Sequence, residues 1–179
     1  MSEALQIFER AIRDSENLLA RFDNEKGTAG AATAEVLKRA GIVMAVAAWE
    51  TYLKARIREE FDTWLGALDG SPIAKFVRTR LETDLKRFSN PNSERSRQLF
   101  MDYFEVDITK DWAWANYDAA AARKALNSLI RKRGDAAHQG NTAAHASAEP
   151  HKVKRDELEK AIRFLKGLVS ATEKVKLAK

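Results

Sequence analysis

One long helical pattern constrains the fold of this chain more than any other feature. From about Thr33 the large apolar residues recur at steps of three or four, or at their sums, until the pattern stops at the break 69–72. This spacing places apolar side chains on one face of an α-helix. Pro72 fits the first position of a following helix, where its missing N–H costs nothing. The periodic residues are Val36, Val43, Val46, Leu53, Ile57, Phe61, Trp64 and Leu68.

The same period recurs along the rest of the chain. It predicts one helix before the long one and four after it, with breaks at residues 24–30, 69–72, 89–92, 106–117 and 141–150. The third predicted helix carries Phe76, and Asp118 is the expected N-cap of the fifth. No stretch alternates as a β-strand does. We therefore expect an all-α chain, a helical bundle of about five to six helices, with residues 1–179 as a single domain.

Composition and charge limit the classes of partner. No apolar run reaches the 18 residues of a membrane span, and the N-terminus has an early acidic residue and no central apolar block, so neither a membrane segment nor a signal peptide is expected. Cysteine is absent, which excludes disulfides and thiolate metal sites and fits a cytoplasmic protein. The net charge of +5 is compatible with nucleic acid as a partner, but charge by itself is weak evidence, and a soluble protein that happens to be basic is the alternative.

The chemically suggestive stretch is residues 130–140, IRKRGDAAHQG. Three cations, Arg131, Lys132 and Arg133, come shortly before His138, which small residues flank. The other two histidines, at 145 and 151, lie in a polar loop where we expect no specific role. No histidines or carboxylates have metal-ligand spacing, and no glycine-rich loop suits a phosphate, so neither metal nor cofactor is expected.

An arginine and a histidine together suit the cleavage of RNA without a metal. Imidazole titrates near neutral pH and transfers a proton to or from a ribose hydroxyl. Guanidinium binds a phosphate and stabilises the charge that builds on it. The alternative is a basic helix end, where cations favour the helix dipole, followed by a histidine that caps or packs.

Helix geometry leaves the choice of arginine open. At about 100° per residue, Arg133 and His138 lie about 140° apart and converge only if the backbone departs from a helix. Gly134 is the position where such a departure is easiest. Arg131 lies on nearly the same stripe as His138, since seven residues make almost two full turns. Arg133 is the first choice and Arg131 the second.

The segment from Arg133 to Gly140 (RGDAAHQG), late in an all-α chain and followed by one more amphipathic helix, resembles the R-x4–6-H motif of the HEPN superfamily (higher eukaryotes and prokaryotes nucleotide-binding). Three further segments, roughly within Ala34–Val175, are similar to its RiboL-PSP-associated branch: residues 49–53 (WETYL), the Pro91-Asn92 turn before residues 99–100, and the stretch 112–114. The resemblance implies an HEPN-like bundle that forms a homodimer with two facing motifs. It also implies a metal-independent endoribonuclease, acting on RNA in a toxin–antitoxin or anti-phage defence system with a cognate antitoxin or neighbouring defence protein.

Carried over by position, Arg133 and His138 match the catalytic pair, and Arg131 and Lys132 become RNA-binding candidates. Gly134 departs from the polar residue that usually follows the motif arginine, and Asp135 is the candidate to replace it. Gly140 stands where the nucleotidyltransferase-paired branch has a tyrosine, which argues against that branch.

Three residues upstream of the motif each have two interpretations. Glu50 reaches the cleft to bind Arg133 or tune His138, or it is a partly buried acid paired with a nearby arginine. Trp112 and Trp114 stack bases, or they are anchors of the core or of a dimer interface. For the whole chain, the alternative to a ribonuclease is a non-catalytic HEPN module that binds RNA, a nucleotide or a protein partner. Outside the family, a structural helical adaptor is the further alternative.

Overall fold

The computed structural model describes residues 1–25, 30–138 and 153–177, and of Ala31 and His138 it describes the backbone alone. Within these residues the chain forms α-helices and no strand, apart from an isolated bridge between Trp114 and Tyr117. The fold is all-α, as predicted. The helices are α1 (Glu3–Asn24), α2 (Ala31–Leu65), α3 (Pro72–Arg87), α4 (Ser93–Phe104), α5 (Ala119–His138) and α6 (Arg155–Glu173).

The helix starts follow local chemistry that is legible in the sequence. The carboxylate of Asp118 accepts the N–H of Ala121 at 2.7 Å, which confirms it as the cap of α5. Ser71 caps α3 in the same way, and Pro72 stands at the start of that helix, as predicted. The long helix α2 continues as a 3₁₀ turn over Gly66–Leu68 before the break. Residues 106–117 are irregular, also as predicted.

The long helix α2 is the centre of the bundle, since α1, α4, α5 and α6 all pack against it. Its Trp49 is fully buried and stacks on Tyr52 with ring centroids 5.6 Å apart. Trp112, from the irregular segment, meets Trp49 edge-on at 6.0 Å and donates its indole N–H to Thr172 of α6 at 3.0 Å. These large rings join the middle of α2 to the segment before α5 and to α6.

A polar network ties α1 and α6 to α2 at one end of the bundle. The Tyr52 hydroxyl donates to Glu173 at 2.8 Å, and Ser2 donates to the other oxygen of the same carboxylate at 2.6 Å. Burial of Tyr52, reinforced by the charge of Glu173, raises the pKa of this phenol well above its usual range. Glu59 accepts the first N–H groups of α1, at Glu3 and Ala4.

Several residues of the apolar pattern do not enter the core. Trp64 and Leu68 are 60% and 48% exposed, Val36 is 53% exposed and Phe76 of α3 is 73% exposed. Trp64, Val36 and Phe76 are α-helical as predicted and Leu68 lies in the 3₁₀ turn, but the period alone does not say which turns are covered. At 1.5 Å per residue, α2 is about 50 Å long and α1 and α6 are about 30 Å. The end turns of α2 therefore have less cover than its middle.

Candidate functional site

The arginine and the histidine of the predicted motif lie in the C-terminal turns of helix α5. The helix is continuous from Ala119 to His138, and Gly134 is helical like its neighbours. The break at Gly134 that would bring Arg133 and His138 together in one chain is therefore not formed. On a regular helix their Cα positions lie about 140° apart around the axis, whereas Arg131 and His138 lie about 20° apart.

Arg133 points to the loop between α3 and α4. Its Nη2 donates to the side-chain oxygen of Asn90, and its Nε is buried without a hydrogen-bond partner among the described residues. The side chain is partly buried, and it forms no ion pair with any carboxylate in that part of the chain. Because an amide carries no net charge, this contact holds the guanidinium without neutralising it.

The two cations before Arg133 have different surroundings. Lys132 pairs with Glu157 of α6 at 2.5 Å, and the second oxygen of Glu157 accepts the N–H of Lys154 at 3.1 Å. Arg131 is exposed and makes no hydrogen bond or ion pair with another described residue. Of the two predicted RNA-binding residues, Arg131 has a charge that no described carboxylate offsets, while the charge of Lys132 is offset by Glu157.

Neither predicted supporting acid contacts the motif arginine. Glu50 lies on α2 and pairs with Lys54 one turn along, at 2.7 Å, rather than with Arg133. Lys54 also stands 6.0 Å from the centre of the Phe88 ring. Asp135 is exposed, without an ion pair inside the described ranges. Glu50 thus fits the partly buried, paired acid of the second interpretation, although its partner is a lysine and not an arginine.

Sequence reasoning missed the loop of residues 88–92 as part of this site. Its buried Pro91 accepts the indole N–H of Trp49 at 3.0 Å, through the backbone oxygen. The side-chain oxygen of Asn127, on α5, accepts the N–H of Ser93 at 2.9 Å. The segment 89–92 was predicted as the break between two helices, and its Pro91-Asn92 turn as a point of resemblance to the family, but not as a contact of the motif. Asn90 before a proline is a signal for a turn, but not for the helix that the turn contacts.

The two tryptophans predicted as candidates for base stacking pack against other parts of the protein instead. Trp112 is fully buried. Trp114 is partly buried and packs against Phe164, with centroids 5.7 Å apart, and against Tyr117 at 4.8 Å. Its indole lies so close to Gly167 that a Cβ there would overlap it. Both therefore act as anchors between the irregular segment and α6.

An open groove runs between α5 and α6 beside the motif. It has a volume of about 320 Å³. Its lining includes two aromatic residues, Tyr117 and Phe164, and three charged residues, Lys132, Glu157 and Lys160. In the described ranges, His, Asp and Glu form no cluster of three or more that suits a metal ion. No helix in those ranges combines the length and the apolarity needed to cross a membrane.

An all-α bundle that carries an R-x4–6-H sequence at the end of a helix defines the HEPN class of domain. The RiboL-PSP-HEPN family model matches residues 10–175, and the chain belongs to this family. No curated protein and no solved structure matches the chain. Membership in the family suggests a ribonuclease or a nucleotide-binding module, in a superfamily whose domains bind RNA and often dimerise.

Proposed function

We propose that this protein is a metal-independent endoribonuclease that acts as a homodimer. Arg133 binds the scissile phosphate, and His138 is the general acid and base. The observation that carries the proposal is the R-x4-H sequence on α5 of a RiboL-PSP-HEPN chain, with an arginine that no described carboxylate neutralises.

The chemistry needs one proton acceptor, one proton donor and one cation. An imidazole takes the proton of the ribose 2′-hydroxyl while that oxygen attacks the neighbouring phosphorus. The bond from phosphorus to the 5′-oxygen breaks, and an imidazolium gives the leaving oxygen its proton. The guanidinium stabilises the charge on the phosphoryl oxygens throughout. The products carry a 2′,3′-cyclic phosphate and a free 5′-hydroxyl.

The straight course of α5 favours a site shared by two chains. On a regular helix the Cα positions of Arg133 and His138 lie about 140° apart around the axis, so one copy of the motif is not expected to present both groups to one phosphate. A twofold axis beside the motif presents the arginine of one chain and the histidine of the other to the same strand.

The cellular role is proposed from the family alone. We propose that the enzyme acts in the cytoplasm, in a toxin–antitoxin or anti-phage defence system, with a cognate antitoxin or a neighbouring defence protein as its partner. Arg131, exposed and without an ion pair within the described residues, is the first candidate to follow the RNA backbone beyond the cleavage point. Lys132 is the second, since RNA binding there competes with Glu157.

The test is RNA cleavage by the purified protein in excess chelator. We expect cleavage to persist and its products to carry cyclic phosphate ends by mass spectrometry. His138→Ala should lower the rate by roughly 10²- to 10⁴-fold, the usual contribution of a general acid or base, with an unchanged melting curve. His145→Ala is the matched control and should stay active. A strict requirement for magnesium or manganese contradicts the mechanism, and unfolding of His138→Ala makes that histidine structural.

A mixing experiment tests the shared site. An Arg133→Ala chain and a His138→Ala chain are each expected to cleave RNA at least about a hundredfold more slowly than the wild type, with a measurable residual rate. If each site takes its arginine from one chain and its histidine from the other, every mixed dimer has one intact site. Random exchange then restores about a quarter of the wild-type activity. No recovery, with exchange confirmed by native mass spectrometry, places both residues in the same chain. Full cleavage by a protein that stays monomeric at micromolar concentration contradicts the dimer.

One observation favours a second candidate function, a non-catalytic module that binds RNA or a nucleotide. The groove between α5 and α6 combines aromatic and basic side chains, which suit a base and its phosphate. Arg133 would then only brace the loop at Asn90. Saturable binding of RNA or of a mononucleotide, lost in Lys160→Ala and unaccompanied by cleavage, supports this candidate over the enzyme.

A further inference from the structure

The loop of residues 88–92 is held in place by contacts that do not involve Arg133. Besides the bond from Trp49 of α2, the Pro91 oxygen accepts the hydroxyl of Ser96 at 3.3 Å. The guanidinium of Arg95 donates to the Ser89 oxygen at 2.7 Å. Helices α2 and α4 therefore fix this loop independently of the motif on α5.

Asn90 has the backbone conformation that presents its side chain. Its φ is 54°, in the left-handed region, which asparagine tolerates better than most residues. Its carbonyl oxygen accepts the N–H of Asn92 at 2.7 Å, which closes the turn. The side-chain oxygen is then directed to Nη2 of Arg133. A rigid turn thus offers a single neutral acceptor to the motif arginine.

The acceptor Asn90 is neutral, whereas the cation next to Arg133 on the helix is paired with a carboxylate. On the same helix, Lys132 is paired with a carboxylate, which offsets its charge. Asn90 fixes Arg133 through a hydrogen bond alone, so the full positive charge remains for an anion. Nε is buried and Nη2 donates one of its two N–H groups to Asn90, so Nη1 and the second N–H of Nη2 are the donors for a phosphate.

We propose that Asn90 is a positioning residue for RNA cleavage: it orients the Arg133 guanidinium toward the scissile phosphate and leaves its charge intact. The inference rests on the proposed ribonuclease function. Asn90 does not touch the substrate, and its whole effect passes through Arg133.

Two substitutions separate the orientation from the charge. Asn90→Gly keeps the left-handed turn and removes the acceptor. Asn90→Asp keeps the shape and places a carboxylate against Arg133. Glu105→Gly is the matched control, because Glu105 has a φ of 56° and lies exposed at the end of α4, away from the motif. The readouts are kcat and KM for RNA cleavage, the melting temperature, and the salt dependence of RNA affinity in a His138→Ala background.

We expect Asn90→Gly to lose about tenfold in kcat/KM, the usual scale for one hydrogen bond to a charged group, and Asn90→Asp to lose about as much because its carboxylate offsets the charge of Arg133. Asn90→Asp should melt at the wild-type temperature or above it, because it gains an ion pair. Its RNA affinity should fall. The slope of log affinity against log salt concentration should become shallower by the amount expected for about one phosphate contact. Activity and stability then move in opposite directions, which a merely structural asparagine does not produce. Glu105→Gly should match the wild type in activity.

A double-mutant cycle completes the test. In an Arg133→Ala background, neither Asn90 substitution should lower activity further, because the residue it acts through is gone. Additive losses overturn the inference, as does an Asn90→Asp protein with full activity and an unchanged salt slope. A wild-type chain without ribonuclease activity refutes the proposed function and the inference with it. An active wild type with unaffected Asn90 variants refutes only the inference.

Discussion

Gly134→Ala tests whether α5 must stay straight for the protein to work. Gly134 is helical, and a Cβ built there meets no heavy atom within 4 Å. Alanine therefore adds no clash and lowers the conformational entropy of the unfolded chain. Replacing a helical glycine with alanine stabilises by about 0.5–1 kcal/mol. For a chain of this size, 1 kcal/mol raises the melting temperature by about 2–4 °C, so a rise of roughly 1–4 °C is expected.

The activity of the same variant distinguishes two geometries. If two straight α5 helices from two chains form the site, Gly134→Ala is more stable and cleaves RNA at the wild-type rate. If α5 must unwind at Gly134 to bring Arg133 and His138 of one chain together, the variant is more stable and much less active. Calorimetry measures the melting temperature of the variant, and the cleavage assay measures its activity. Gly66→Ala is the control, since Gly66 has helical dihedral angles and open space but lies far along the chain from the motif. A lower melting temperature for Gly134→Ala refutes the reasoning about the helix.

Two further predictions follow from the packing around the motif. Gly167→Ala should destabilise the protein by about 1–3 kcal/mol, seen as a lower denaturant midpoint, because its Cβ would overlap the indole of Trp114; an unchanged midpoint would mean that the ring moves aside freely. Arg131→Ala should weaken RNA binding and reduce its salt slope more than Lys132→Ala does, because Glu157 already offsets the charge of Lys132; equal losses in a titration by fluorescence anisotropy would contradict this ranking.

The helices were predictable because their signals are local. The apolar period, the Asp118 cap and Pro72 each depend on a few neighbouring residues, and each was confirmed. The exposure of Trp64 and Phe76 was not predictable in this way, since it depends on where the neighbouring helices end. A period of 3.6 residues identifies a helical face but not whether another element covers it.

The predicted site residues Arg131, Lys132, Arg133 and His138 all lie on α5, and the contacts of the described side chains were not foreseen. Glu50 was expected beside Arg133 or an arginine, and it pairs with Lys54. The acceptor that Arg133 does find, Asn90, lies 43 positions away in the sequence. A contact of that separation depends on how α3, α4 and α5 pack. The spacing of residues along one helix cannot predict it.

The three consecutive cations show why a basic run is not one basic patch. Successive residues of α5 turn by about 100°, so Arg131, Lys132 and Arg133 face three directions. They meet solvent, the carboxylate of Glu157 and the neutral amide of Asn90. Among the described residues, no carboxylate offsets the first or the last of these charges, and these two are the arginines between which the motif spacing could not choose. A site built from both, with Arg133 at the scissile phosphate and Arg131 on the flanking backbone, uses the helix as it is.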